Sequence, residues 1–175
     1  MKDGDKTKKQ LIADLQKLRN RLGELKQAEA LRKEVEDQIR DRVDIETALA
    51  EISKLFVSGI GVDLNQVLKI LGEAVAANRA YCFQFREGGR KSDNTHEWCD
   101  AKTAPQIENL QDLDMSLFPW WLEKLRRDEN ILIFDVDALP EEASSERTIL
   151  QSQNIRSVLV VPIGSREGGL MGFMG

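Results

Sequence analysis

The stretch NIRSVLVVPIGSREGGLMGFMG, residues 154–175, decides the fold. Ser157–Ile163 and Leu170–Met174 read as two apolar strands, and Ser-Arg-Glu-Gly-Gly between them reads as a turn. Val158–Ile163 is the longest uninterrupted apolar run in the chain and is far too short to span a bilayer. Working outward, ILIFDV (131–136) has neither the length nor the polar face of a helix and reads as another strand. RAYCFQF (79–85) and NTHEWC (94–99), joined by the turn REGGRKSDN (86–94), form a hairpin. Between the strands lie helical patterns. IETALAEISKLFVSGI (45–60) carries a stripe at Ile45, Leu49, Ile52, Leu55 and Phe56. A second helix opens at Asp63, with Gln66 completing a capping-box-like pair, buries Val67, Leu68, Leu71 and Val75, and ends at Asn78 in a left-handed cap. FPWWLEKLRRDEN (118–130) is a short helix opened by Ser116, and Pro140 with Glu141 and Glu142 starts one that runs through SSERTILQSQN (144–154). Two helices, a hairpin, helix, strand, helix and a closing hairpin predict an α+β sandwich, an antiparallel sheet with helices on both sides.

Composition sets the outer limits. The 175 residues are 41% hydrophobic and 31% charged, which suits one soluble domain with a very polar appendage. A net charge of −5, with no Lys- and Arg-rich stretch beyond the N-terminus, argues against nucleic acid. Two cysteines, Cys82 and Cys99, fit reduced thiols rather than a disulfide scaffold. Met1 leads into Lys, Asp and Gly with no apolar run behind them, so no signal peptide is read and a cytoplasmic location is expected, with no membrane contact in this segment.

The polar appendage occupies residues 1–42, ahead of an α+β domain at 43–175. Leu11, Leu15, Leu18, Leu22 and Leu25 alternate spacings of four and three, the seam of a two-stranded coiled coil, with Lys17, Arg19, Arg21, Glu24 and Lys26 beside it. After Leu25 the apolar positions become Ala28, Leu31, Val35 and Ile39, and the strict repeat slips, which changes supercoiling locally. A helix this polar gains little by packing on a globule, so a homodimer through these leucines is expected.

Residues 6–42, KTKKQLIADLQKLRNRLGELKQAEALRKEVEDQIRDR, resemble the coiled-coil linkers that precede sensory domains in bacterial histidine kinases. From about Ile45 to Gly175 the chain resembles a GAF domain, through ANRAYCFQF (77–85), NTHEWC and the closing NIRSVLVVPIGSREGGLMGFMG. Its pattern is most similar to the GAF domains of bacterial and cyanobacterial multi-domain sensor kinases. The resemblance implies a small-molecule-sensing module. It also implies a further helix after the last strand, packed beside the first one. Its absence here reads as truncation, leaving Ile52, Leu55 and Phe56 underpacked.

Catalytic chemistry is thinly represented. His96 is the only histidine, sits in a strand pattern, and shares only His-Glu with a kinase phosphoacceptor helix. Cys82 and Cys99 could face each other across the hairpin, but one His and two Cys are too few for a zinc site, so no metal is expected. EGGRKSDN and REGG lack the Gly-Lys-Ser/Thr ending of a phosphate loop. No enzyme is read from this chain. The GAF resemblance adds that bilin is carried on a cysteine usually followed by His, which neither cysteine is, so no covalent bilin is expected and the cofactor stays unknown. His96 is a poor axial ligand for haem, and a cyclic nucleotide has no support in these residues. The resemblance also places a ligand between one sheet face and the crossing helices. Phe83, Phe85 and Trp98 then supply a floor, Trp120 and Trp121 a wall, and Arg156 a contact for an anionic group.

The expected function is a non-catalytic sensory domain that binds a small molecule or partner and signals through dimeric helices to a kinase output. A ligand-free dimerisation spacer and a thiol-based methionine sulfoxide reductase are the alternatives.

Overall fold

The structure, a computed structural model, describes residues 7–58, 61–164 and 169–175. The expected turn at Ser165–Gly169 falls largely outside them. The chain separates into two compact units, Met1–Thr47 and Ala48–Gly175.

Helix α1 runs unbroken over Lys8–Val57, through the slipped repeat after Leu25. Leu11, Leu15, Leu18, Leu22 and Leu25 are all exposed on the single chain. Its charges pair along the surface, as in Arg32–Glu36 and Arg42–Glu46, both at 2.9 Å with i,i+4 spacing. Each such pair stabilises a helix by only about 0.3–0.5 kcal/mol, so surface pairing alone does not account for a helix this long. Among the described residues no helix is long and apolar enough to cross a membrane.

The second unit is built on six strands: β1 Arg79–Arg86, β2 Lys91–Cys99, β3 Leu113–Asp114, β4 Ile131–Ile133, β5 Val158–Gly164 and β6 Leu170–Met174. They form one antiparallel sheet in the order β3-β2-β1-β6-β5-β4. Helix α2 (Leu64–Ala74) covers the β1–β2 end of one face; α3 (Pro119–Arg126) and α4 (Ser144–Ser152) belong to the other. The expected α+β sandwich is therefore what forms. At the centre, β1 and β6 pair so closely that a Cβ on Gly172 would lie 2.0 Å from the Phe83 carbonyl oxygen, so only glycine fits there. The core fills the α3–α4 side, where Leu125, Ile131, Val136, Ala143 and Val160 are almost wholly buried around the aromatic residues of β1 and β6.

Several local details differ from the sequence reading. Asp63 caps α2 as expected, accepting from Asn65 N at 2.9 Å, but the helix ends at Ala74. Ala76, at φ 51°, takes the left-handed position, closed by Ala77 N donating to Gly72 O at 2.8 Å. Asn78 instead ties the hairpin base, donating Nδ2 to Asp100 Oδ2 at 3.0 Å. Asp114, not Ser116, is the capping side chain ahead of α3; it closes a 3-10 turn at Met115–Leu117, and Pro119 supplies the first helical residue. β4 is shorter than read: Phe134 lies beyond it, 82% exposed. On α1, Ile52 and Leu55 are half-buried and Phe56 is exposed.

Candidate functional site

One irregularity decides which side chains meet. Phe83 pairs with Asn94 but Cys82 pairs with His96, so Thr95 is an extra residue in β2, a bulge. Its hydroxyl donates to the Cys82 carbonyl at 3.0 Å, occupying an acceptor beside the irregular ladder. Simple alternation would place Trp98 across from Arg79, on the face of Tyr81 and Phe83. The extra residue puts Trp98 opposite Ala80 instead, and its ring lies on Gly72 of α2.

The same register separates the cysteines. Cys99 pairs with Arg79, whose side chain faces α3 and α4, while Cys82 pairs with His96 on the α2 face. The expectation that they face each other is therefore corrected: both thiols are free and lie on opposite faces. Burial pushes each thiol up, opposed at Cys82 by the Thr95 hydroxyl and at Cys99 by a hydrogen bond from Arg79. Neither is primed as a thiolate nucleophile.

On the α3–α4 face, Tyr81, Phe83 and Phe85 project from alternate positions of β1. Phe173 of β6 stacks on Phe83, with centroids 4.8 Å apart and planes at 11°. Tyr81 meets Phe83 edge-on at 5.3 Å, and Trp121 of α3 meets Phe173 at 6.1 Å. Such pairs contribute about 0.5–1.5 kcal/mol each beyond burial. Between this floor and Phe118, Trp121, Ile149 and Leu150 remains a cavity of about 50 Å³. That is room for a few atoms, or for water.

The polar groups around it are few and largely inward. Ser92 is fully buried and donates its hydroxyl to the Met115 thioether at 3.0 Å, a weak acceptor. Arg79 donates Nη2 to Ala104 O at 2.9 Å, while its Nε lies 3.2 Å from Glu97 Oε1, an ion pair without hydrogen-bond alignment. Glu97 is in turn held by the backbone N–H groups of Gln106 and Ile107 at 2.7 and 2.9 Å. Burial pushes the Tyr81 phenol well up, only partly offset by Arg79, so it remains a neutral hydroxyl. Glu146, fully buried in the first turn of α4, accepts from Trp121 N at 3.1 Å and so caps α3 from a neighbouring helix. Its Oε2 and the Trp121 indole N–H are buried without hydrogen-bond partners among the described residues.

Of the six residues expected around a ligand, Phe83 and Trp121 line this cavity. Phe85 packs beside it, 5.8 Å from Phe173. Trp120 is half-buried at the edge of the core, with Lys124 Nζ 5.1 Å above its ring. Trp98 is on the other face, and Arg156 is exposed, with its carbonyl accepting from Val136 N. The lining cation is Arg79, whose alternation with Tyr81 and Phe83 was the available signal. Among the described residues, no three His, Cys, Asp or Glu side chains group as a metal site.

The fold and this arrangement define a class. The chain has the GAF-domain fold: it is similar to the phycoerythrobilin-bound GAF domain of a cyanobacterial phytochrome, with a TM-score of 0.59 at 16% identity over 74% of this chain and 77% of that one. A far-red-absorbing dark-state structure with bound biliverdin IXa gives 0.58 at 11% identity, covering 75% and 81%. The chromophore-binding domain of the Stigmatella aurantiaca bacteriophytochrome gives 0.52 at 16%, covering 75% and 50%. Among curated proteins the chain is similar to the methanogenesis regulatory histidine kinase FilI of Methanothrix harundinacea, 38% identical over 144 residues and 78% of this chain. It spans about 15% of that kinase's length. No family model matches the sequence.

Proposed function

We propose that the chain is a sensory module, an arm at residues 1–42 and a GAF domain at 43–175, that binds a small molecule and passes the event to a histidine kinase output in a cytoplasmic protein. The observation that carries this reading is the aromatic cavity walled by Phe83, Phe173 and Trp121, whose buried indole N–H has no partner among the described residues. A buried donor left unpaired costs about 1–3 kcal/mol, and a ligand acceptor placed there removes that cost. The similarity to FilI supports the kinase output. The cavity volume supports a compact ligand rather than a tetrapyrrole, and neither cysteine lines it.

The relay runs through α1. Its exposed leucine seam forms a parallel homodimer, and the unbroken helix from Lys8 to Val57 carries a change of packing along its axis. A ligand shifts that packing only by its difference in affinity for the two states, about 1.4 kcal/mol for each tenfold.

A thermal-shift screen of polar compounds of only a few non-hydrogen atoms tests the site, paired with Ile149→Trp, which fills the cavity from α4. Expected is a compound that raises the melting temperature of the natural chain and leaves the folded variant unmoved. Equal stabilisation of both would place binding elsewhere. No stabilising compound at all would favour a dimerisation spacer.

A further inference from the structure

Beneath α2, on the sheet face opposite the aromatic site, lies a second and larger cavity of about 300 Å³. Strand register determines its lining. Cys82 of β1 is paired with His96 of β2 on one side and with Met174 of β6 on the other. The three side chains leave one face in a single row, and all three line the cavity together with Met171. Directly opposed residues in antiparallel strands have Cβ atoms about 4.5–5.5 Å apart. That spacing lets a thiol, an imidazole and a thioether close on one atom above the central strand.

The imidazole is already oriented. Thr95 Oγ1 lies 3.0 Å from His96 Nδ1 and 3.0 Å from the Cys82 carbonyl oxygen. With the Thr95 hydroxyl donating to the Cys82 carbonyl, its oxygen stands as an acceptor for His96 Nδ1–H. In that tautomer Nε2 carries the lone pair, the hydrogen-bonded arrangement that metal-bound histidines use. The bulge that turned Trp98 away from the aromatic site is thus also what aligns His96 with Cys82. No Asp or Glu lines this cavity; Leu64, Val67, Leu68 and Ile163 are among its apolar walls, and Gln84 and Thr95 are its other polar side chains.

We propose that Cys82, His96 and Met174, with Met171 as a fourth donor, form a binding site for a soft monovalent cation, Cu(I). Thiolate and thioether ligands select this ion, whereas zinc takes thiolate, imidazole and carboxylate and gains nothing from methionine. On binding, copper bonds to Cys82 Sγ and the thiol proton leaves to solvent. His96 Nε2 and the Met174 sulfur donate lone pairs, and the metal stays Cu(I) throughout.

The test is an anaerobic titration of the chain with Cu(I) in competition with a chromophoric Cu(I) chelator. Expected is one Cu(I) per chain, with affinity at least about tenfold lower in both Cys82→Ser and Met174→Leu and unchanged in Cys99→Ser. Circular dichroism checks that each variant is folded, and Cys82→Ala replaces Cys82→Ser if the serine disturbs the sheet. Copper-edge X-ray absorption on the natural chain reads the donors without any substitution, and mixed sulfur and nitrogen neighbours are expected. No retention of Cu(I) against the chelator, a copper with only oxygen and nitrogen neighbours, or a loss that follows Cys99 rather than Cys82 would overturn the proposal.

Discussion

Gly72→Ala should destabilise the domain, although helix propensity alone says the opposite. In an exposed helix interior the exchange of Gly for Ala gains about 1 kcal/mol. Gly72, however, is buried in α2, and an added Cβ would lie 2.2 Å from Trp98 Cζ3 and 2.4 Å from Cε3. Ordinary carbon contacts sit at about 3.5–4.0 Å, so the indole or the helix must move by roughly 1.3 Å or more. Overpacking costs about 1–3 kcal/mol, and the rigid ring argues for the upper part of that range. The net loss is then about 1–2 kcal/mol. With a urea slope of about 2 kcal/mol per molar, the midpoint falls by roughly 0.5–1 M. In a Trp98→Leu background the ring is gone and the same Gly→Ala change should raise the midpoint by about 0.5 M, its propensity gain. The reversal of sign is the signature. If Gly72→Ala stabilises the chain that keeps Trp98, the ring does not lie on α2, and the bulge at Thr95 is not where the structure places it.

Other consequences can be measured on the same preparations. Glu146→Ala strips the cap from the first turn of α3 and should cost about 1–3 kcal/mol by urea denaturation, while Glu146→Gln, which keeps an acceptor for Trp121 N, should cost less; equal losses would refute the capping role. Asp93 is held below the usual carboxylate range, first by the Arg86 side-chain hydrogen bond and then by the Asp112 backbone N–H. Its folded value is depressed, so its stabilisation is present above the unfolded carboxylate value of about 4 and is lost as pH falls through the folded value. Urea midpoints from neutral pH to pH 3 should show a shallower acid decline in Asp93→Asn, and an unchanged slope would count against it. Leu18→Lys with Leu22→Lys should convert a dimer to a monomer in sedimentation without changing the domain's melting; a persisting dimer would place the interface in the domain.

Periodicity made the larger plan legible. The aromatic-rich RAYCFQF and the closing apolar runs, with polar turns between, are local signals that the sheet obeys. The heptad leucines likewise mark α1, because a polar helix announces itself by its spacing. What escaped was set by contacts distant in sequence. β3 has two residues, too short for any period, and exists because β2 offers it an edge. The Thr95 bulge leaves no mark in composition, yet it moves Trp98 to α2, parts Cys82 from Cys99, and aligns His96 with Cys82 and Met174. Glu146 carries no local sign of its role: it is buried because its acceptor serves a different helix. Beyond its alternation with Tyr81 and Phe83, Arg79 gives no local sign of its place in the site, because its buried partner, Glu97, becomes a neighbour only across the hairpin.

Native mass spectrometry of the purified chain, with no ligand added, tests the central claim most directly. The account predicts a dimer carrying a discrete small-molecule mass that is absent from Ile149→Trp, while the dimer itself survives that substitution. A clean dimer that gains no mass with any compound from the thermal-shift screen would contradict the sensory reading and leave a dimerisation spacer, and a monomer would contradict the relay through α1.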